Sequence, residues 1–146
     1  MSTVADILAT KGSNVLTVDR DASVLDAIRS MVEANVGSVI VTEGDAINGI
    51  FTERDYLRRI VLEGRTSQTT PVIEVTTERL VVVDPSRSTD ECMSIMTQER
   101  VRHLPVIDQG KLVGVVSIGD LVKYLSKERE AEVRYLTDYI AGKYPG

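Results

Sequence analysis

Apolar and polar positions recur along this chain in blocks. A short apolar run, Val15–Val18, precedes a polar stretch. Apolar residues then fall at 24, 27, 28, 31 and 32, the spacing of one helix face. "SVIVT" from Ser38 and "INGIFT" from Ile47 read as strands, and the turn "EGD" between them predicts a hairpin. "RDYLRRIVLEG" from Arg54 predicts a helix. The same order returns 65 residues later over 46 positions without a gap. Leu80–Val83 is its opening strand, and Cys92, Met93, Ile95 and Met96 form the helix face. "LPVID" and "LVGVVS", joined by "QGK", form the hairpin, and "GDLVKYLSKE" forms the last helix.

Identical pairs at this offset include Asp19/Asp84, Ser23/Ser88, Met31/Met96, Val36/Val101, Val41/Val106, Gly49/Gly114 and Asp55/Asp120. Each first helix opens on an N-cap signal: Ser23 with Asp26, and Ser88 with Glu91 in the full capping-box pattern. One β-α-β-β-α unit has too little apolar surface to stand alone. Two units related by a pseudo-twofold axis can share a core and leave a cleft between them. The expected fold is therefore α/β (α+β), with residues 1–64 as the first repeat and 65–71 as linker. Residues 72–127 form the second repeat and 128–146 a C-terminal helical tail. The polar stretch Gly64–Pro71 carries the linker, and Val133, Leu136 and Ile140 give the tail an apolar stripe.

Composition narrows the function. With no Trp and one Phe, the core must be aliphatic. Seventeen basic against 22 acidic residues give a net charge of −5, which argues against binding nucleic acid. No apolar stretch reaches membrane-span length, so no membrane partner is expected. The first residues lack the basic-then-apolar layout of a secretory signal, so a cytoplasmic location is the expectation. Cys92 is the single cysteine and lies in a helical pattern, which suits core packing.

"GIFTERD" and "GVVSIGD" resemble the CBS motif: Gly, apolar residues, Thr or Ser, two residues, then Asp. The resemblance spans roughly residues 4 to 127, and more narrowly the chain resembles small stand-alone bacterial CBS pairs, whose pattern plant organellar members share. "RHLPVID" also resembles the phosphate-touching basic segment of the gamma subunit of AMP-activated kinase. The family implies a ligand-binding fold with no chemistry of its own. It implies an adenosine compound in the cleft, such as AMP, ADP, ATP, NAD or S-adenosylmethionine, and association of two pairs into a homodimer.

The residues suit such a ligand. Thr52 and Ser117 fall where a strand meets a helix, and a helix N-terminus favours phosphate. Asp55 and Asp120, three residues later, can accept hydrogen bonds from both ribose hydroxyls. Thr/Ser-x-x-Asp is equally a capping box, and the two roles are compatible. Arg54 is a candidate phosphate clamp or an exposed arginine. Its counterpart Gly119 allows close approach or relieves a turn. Arg100, Arg102 and His103 cluster before "LPVID", and Arg102 or His103 is a candidate phosphate contact by resemblance. Family analogy draws the adenine slot from the opposite repeat's entering segment: Leu16 and Thr17 for the Asp120 half, Thr77 and Val81 for the Asp55 half. Ile118 and Pro105 would pack on the ring, with ordinary core as the other reading. Where the family often has Met-Thr before the second entering strand, this chain has Thr76-Thr77. The first repeat has Leu8-Ala9 followed by "TKGSN", so unequal halves are expected.

The expected function is an adenine-nucleotide sensor that signals to an unknown effector protein. A nucleotide-metabolising enzyme is the first alternative. It lacks a visible nucleophile–base pair, metal cluster or Walker-type loop, so no catalytic residue, metal or catalytic cofactor is assigned. A structural oligomerisation module with a degenerate cleft is the second.

Overall fold

The computed structural model describes residues 2–12 and 15–140, the side chains of 131–133 and 135–140 excepted. Helix α1 (Val4–Lys11) opens the chain. Strand β1 (Thr17–Asp19), helix α2 (Val24–Ala34), strands β2 (Ser38–Glu43) and β3 (Ala46–Thr52) and helix α3 (Glu53–Asp55) follow. A π-helical turn, Tyr56–Val61, continues α3, and a 3₁₀ turn covers Val72–Val75. The second repeat holds α4 (Thr89–Glu99), β4 (His103–Asp108), β5 (Lys111–Ser117) and α5 (Ile118–Ile140). The mixed α and β architecture and the two predicted hairpins are as expected.

Local chemistry sets the element ends in parallel in both repeats. Ser23 Oγ accepts from Asp26 N–H at 3.1 Å, and Ser88 Oγ from Glu91 N–H at 3.1 Å. The helices end on Asn35 (φ 55°) and Arg100 (φ 56°), one repeat length apart and both left-handed. The first hairpin turns on Gly44, the only positive φ of its two loop residues. The second turns on Gln109 and Gly110, both positive, as a primed turn demands.

The entering segments cross. Val4 and Ile7 of α1 are buried with Val83, Cys92, Met96, Leu104, Val106, Val116 and Leu121, which is the core of the second repeat. Val72 and Val75 are buried with Val24, Ala27, Met31, Val39, Val41, Phe51 and Ile60, the core of the first. Backbone bonds fasten both crossings: Val4 N–H to Arg87 O and Val72 N–H to Ala22 O. Each repeat is thus completed by chain that belongs, in sequence, to the start of the other.

Three expectations change. The strand predicted at Leu80–Val83 is reduced to one parallel bridge, Val83 with Val106. In the first repeat β1 pairs with β2 over Thr17–Asp19, and Ile40 N–H reaches Leu16 O at 3.0 Å. Pro105 stands in the place of Ile40 and Pro85 in the place of Arg20, whose N–H bonds Thr42 O; neither proline has an N–H, so a bond is lost at each end and one of three pairs remains. The helix predicted from Arg54 widens into the π turn, where Leu62 N–H bonds Leu57 O. The tail is not a separate helix. No Gly or Pro interrupts "LVKYLSKEREAEVRYL", and α5 runs unbroken for 23 residues. The stripe Val133, Leu136 and Ile140 falls outside the described side chains, and Pro145–Gly146 outside the described residues.

Candidate functional site

Each hairpin ends on a hydroxyl residue that starts a helix. Thr52 Oγ1 accepts from Asp55 N–H at 3.2 Å, and Asp55 Oδ2 accepts from Thr52 N–H at 3.0 Å and from its hydroxyl at 3.1 Å. Ser117 Oγ accepts from Asp120 N–H at 3.1 Å, and Asp120 Oδ2 accepts from Ser117 N–H at 2.9 Å. Both Thr/Ser-x-x-Asp sequences are therefore reciprocal caps. The cap pins each carboxylate on the first helical turn, against the segment that crosses from the other half.

What the crossing segment offers differs. Thr77 donates its hydroxyl to Asp55 Oδ1 at 3.1 Å. Thr77 and Ile50 also exchange backbone hydrogen bonds, 3.0 Å each way. In the second repeat the place of Ile50 belongs to Val115. There the Lys11 ammonium alone reaches both acceptors: Asp120 Oδ2 at 2.6 Å and Val115 O at 2.8 Å. One cation stands where the other half has a hydroxyl and an amide.

The matched glycines explain how close the segments come. A Cβ on Gly49 would lie 2.4 Å from Thr77 O and 2.6 Å from Thr76 Cγ2. On Gly114 it would lie 2.7 Å from Leu8 Cδ2. Leu8 covers Gly114 as Thr76 covers Gly49. Beyond Leu8, however, α1 continues for most of a turn, so the backbone stays helical and, among the described residues, it is the Lys11 side chain that reaches β5.

The charges follow this asymmetry. Partial burial would raise the Asp120 pKa, but the Lys11 hydrogen bond, the Ser117 N–H and the Lys11 charge together hold it below the ordinary 3.8. His103 opens β4 opposite Ser117. Desolvation pushes its pKa below 6.5 despite the opposing pull of Asp120 and Glu53, while Lys11 and Arg102 add to the depression. At neutral pH the ring is uncharged.

The remaining candidates divide by exposure. Arg54 and Arg102 are exposed, and neither forms an ion pair among the described residues. Arg102 O accepts Ile118 N–H at 2.8 Å, which ties the two ends of that hairpin. Thr17, Ile118 and Gly119 are exposed. Leu16 packs against the first core and Val81 against the second. Pro105 is buried, and its carbonyl takes Val83 N–H at 3.0 Å. Three residues here were not among the candidates: Lys11 and Gly37, outside both motifs, and Glu53, a variable position inside "GIFTERD". Glu53 Oε1 and His103 Nε2 each lie 3.5 Å from where a Gly37 Cβ would sit, so strand starts of both repeats meet there. For Lys11 the available signal was the length of the segment after Leu8-Ala9. Among the described residues, no group of three or more His, Cys, Asp and Glu could hold a metal. No described helix is long and apolar enough to cross a membrane.

Two hydroxyl-capped aspartates, one per repeat and each met by the other half's entering segment, define a tandem repeat module with a duplicated capped carboxylate. The chain belongs to the CBS domain family, which matches it twice, over residues 4–62 and 72–127. It is a CBS pair, and this is a family of regulatory modules. It is 40% identical to the mitochondrial CBS domain-containing protein CBSX3 of Arabidopsis thaliana, over 98% of this chain and 74% of that one. To the CBS domain-containing protein YhcV of Bacillus subtilis it is 38% identical, over 88% of this chain and 89% of that one. Among solved structures, a putative signal-transduction protein with CBS domains from Burkholderia ambifaria superposes with a TM-score of 0.83 at 51% identity. That match covers 85% of this chain and 93% of the other.

Proposed function

We propose that this CBS pair is a sensor of adenine nucleotides. A ligand of the AMP, ADP, ATP or NAD type lies in the cleft and sets its ribose hydroxyls on Asp55 or Asp120. Its phosphates take the hydroxyl-capped helix starts at Thr52 or Ser117. Arg54 supplies positive charge on the first side and Arg102 on the second, where the His103 ring adds a hydrogen-bond donor. The observation that carries this reading is the duplicated capped aspartate, each facing a segment from the opposite repeat. A ligand there touches both halves at once. It therefore favours one relative arrangement of them, which an effector protein can read.

A second copy of the chain is the expected partner. α2 and the turn after α3 expose Val32, Leu57 and Val61, at 73%, 57% and 53%. Between α2 and that turn is a groove of about 470 Å³ that Met31, Val32, Tyr56 and Leu57 line. The second repeat exposes Val122, in the place of Leu57, at 53%. Paired apolar faces related by the repeat suit association with an identical surface. A relative from bloom-forming cyanobacteria, 27% identical with a TM-score of 0.73, is a hexameric CBS-CP12 protein.

Calorimetry with AMP, ADP, ATP and NAD tests the ligand reading, and sedimentation tests self-association. Saturable binding of at least one of these ligands is expected, with the ligand recovered unchanged. No heat with any of them at millimolar concentration overturns the reading.

A further inference from the structure

The two aspartates differ in what a ribose must displace to place its two hydroxyls on both carboxylate oxygens: Asp120 Oδ1 accepts no hydrogen bond among the described residues, and Lys11 holds Oδ2. At Asp55 the crossing segment contributes a neutral hydroxyl, Thr77 Oγ1 at 3.1 Å. A ligand hydroxyl replaces it with one bond of the same kind. At Asp120 the crossing segment contributes an ammonium at 2.6 Å, and the ion pair is only partly exposed. Replacing that ammonium with a neutral hydroxyl exchanges a charge-assisted bond for a weaker one. The ammonium is held in place as well, since Val115 O takes a second of its protons at 2.8 Å. Its stem leaves the last turn of α1, which Val4 and Ile7 anchor in the second core.

We propose that Lys11 is an internal competitor for the Asp120 half of the cleft. Its ammonium holds the carboxylate that a ribose would use, so the Asp55 half fills first. The Asp120 half fills only as Lys11 is displaced. This rests on the nucleotide reading above and adds an order of occupancy to it. It also makes Lys11, which lies before the first strand and outside any recognised motif, a residue that sets how many ligands one chain carries.

The test compares wild type with Lys11→Met, which keeps most of the apolar stem and removes the charge. Both are titrated with AMP and with uncharged adenosine. Amide NMR signals of residues 50–55 and 115–120 report the two halves separately. In wild type the first set is expected to respond at lower AMP than the second. In Lys11→Met, adenosine binding at the second half should tighten about tenfold, the scale of a lost competing charged hydrogen bond, while the first half is unchanged. Lys11→Arg should behave as wild type. No tightening at the second half overturns the proposal, and weaker binding there does too, since Lys11 would then be a ligand contact.

A ligand-free measurement separates this from the nucleotide reading. The Asp120 carboxyl, followed by carbon NMR against pH, should titrate higher in Lys11→Met than in wild type. An unchanged Asp120 titration overturns the competitor on its own, whatever binds. Binding confined to residues 50–55 in both proteins overturns it while leaving the nucleotide reading intact. No binding at either half in either protein overturns both.

Discussion

Thr77, on the segment entering the second repeat, donates its hydroxyl to Asp55 of the first at 3.1 Å. This bond joins the two halves at the carboxylate that also caps α3. Asp55 is buried and its remaining hydrogen bonds go to Thr52, so stability and ligand contact share one side chain. Asp55→Ala should lower unfolding free energy by about 1–3 kcal/mol, through loss of the cap and an orphaned Thr77 hydroxyl. It should also abolish nucleotide binding at the first half. Thr77→Val should cost about 1 kcal/mol and leave the cap in place. Urea denaturation and calorimetry on the two variants check both outcomes.

The two repeat glycines should respond unequally to alanine. On Gly49 the new methyl meets the Thr77 carbonyl at 2.4 Å, and backbone cannot swing aside. On Gly114 the obstacle is the end of the Leu8 side chain at 2.7 Å, which a rotamer change relieves. Gly49→Ala is expected to destabilise by about 2–3 kcal/mol and to weaken ligand binding at Asp55, which depends on the position of Thr77. Gly114→Ala should cost about 1 kcal/mol or less. Equal melting temperatures for the two variants would contradict this account.

Arg100 ends α4 at φ 56°, where its counterpart in the first repeat is Asn35. Left-handed backbone is costly for a side chain that makes no local bond to it, and Gly removes that cost. Arg100→Gly should therefore raise stability by about 1 kcal/mol, despite the greater entropy of the unfolded chain. Arg100→Ala should not. Thermal unfolding of the pair distinguishes backbone relief from loss of the arginine side chain.

His103 links ligand binding to pH. Desolvation holds its folded-state pKa below 6.5. A group depressed in this way contributes stability in full above the unfolded value and loses it as pH falls from there toward the folded value. Ligand-free protein should thus weaken below about pH 6.5, and His103→Asn should flatten that slope. A phosphate beside the ring reverses the shift, because a nearby negative charge favours the imidazolium. AMP binding near pH 6 should take up a fraction of a proton, read from calorimetric heats in two buffers of different ionisation enthalpy. Zero uptake would place the phosphate away from His103.

Much of the local structure was legible in the residues. Ser23, Ser88, Thr52 and Ser117 mark helix starts because a hydroxyl and an acidic group three residues on satisfy the free N–H groups there. The "EGD" and "QGK" turns mark hairpins because they supply positive φ between apolar runs. These signals act within a few residues, so they survive in the order of the amino acids. The 65-residue offset then implies two similar units and a duplicated Asp.

The tertiary structure decided what depends on which segment lies beside which. Leu80–Val83 has the apolar character of a strand, yet its pairing is cut short at one end by Pro105 on the neighbouring strand and at the other by Pro85. α1 opens the first repeat in sequence and completes the core of the second. Lys11, ordinary in its local context, becomes the cation on Asp120 because α1 keeps its helical path past Gly114. Helix caps and turns are short-range, so the amino-acid order determines them. Crossing of the entering segments is set by burial of Val4, Ile7, Val72 and Val75 in cores assembled from distant chain. The residue order implied unequal halves, and the folded structure decides how they differ: Lys11 on Asp120, Thr77 on Asp55.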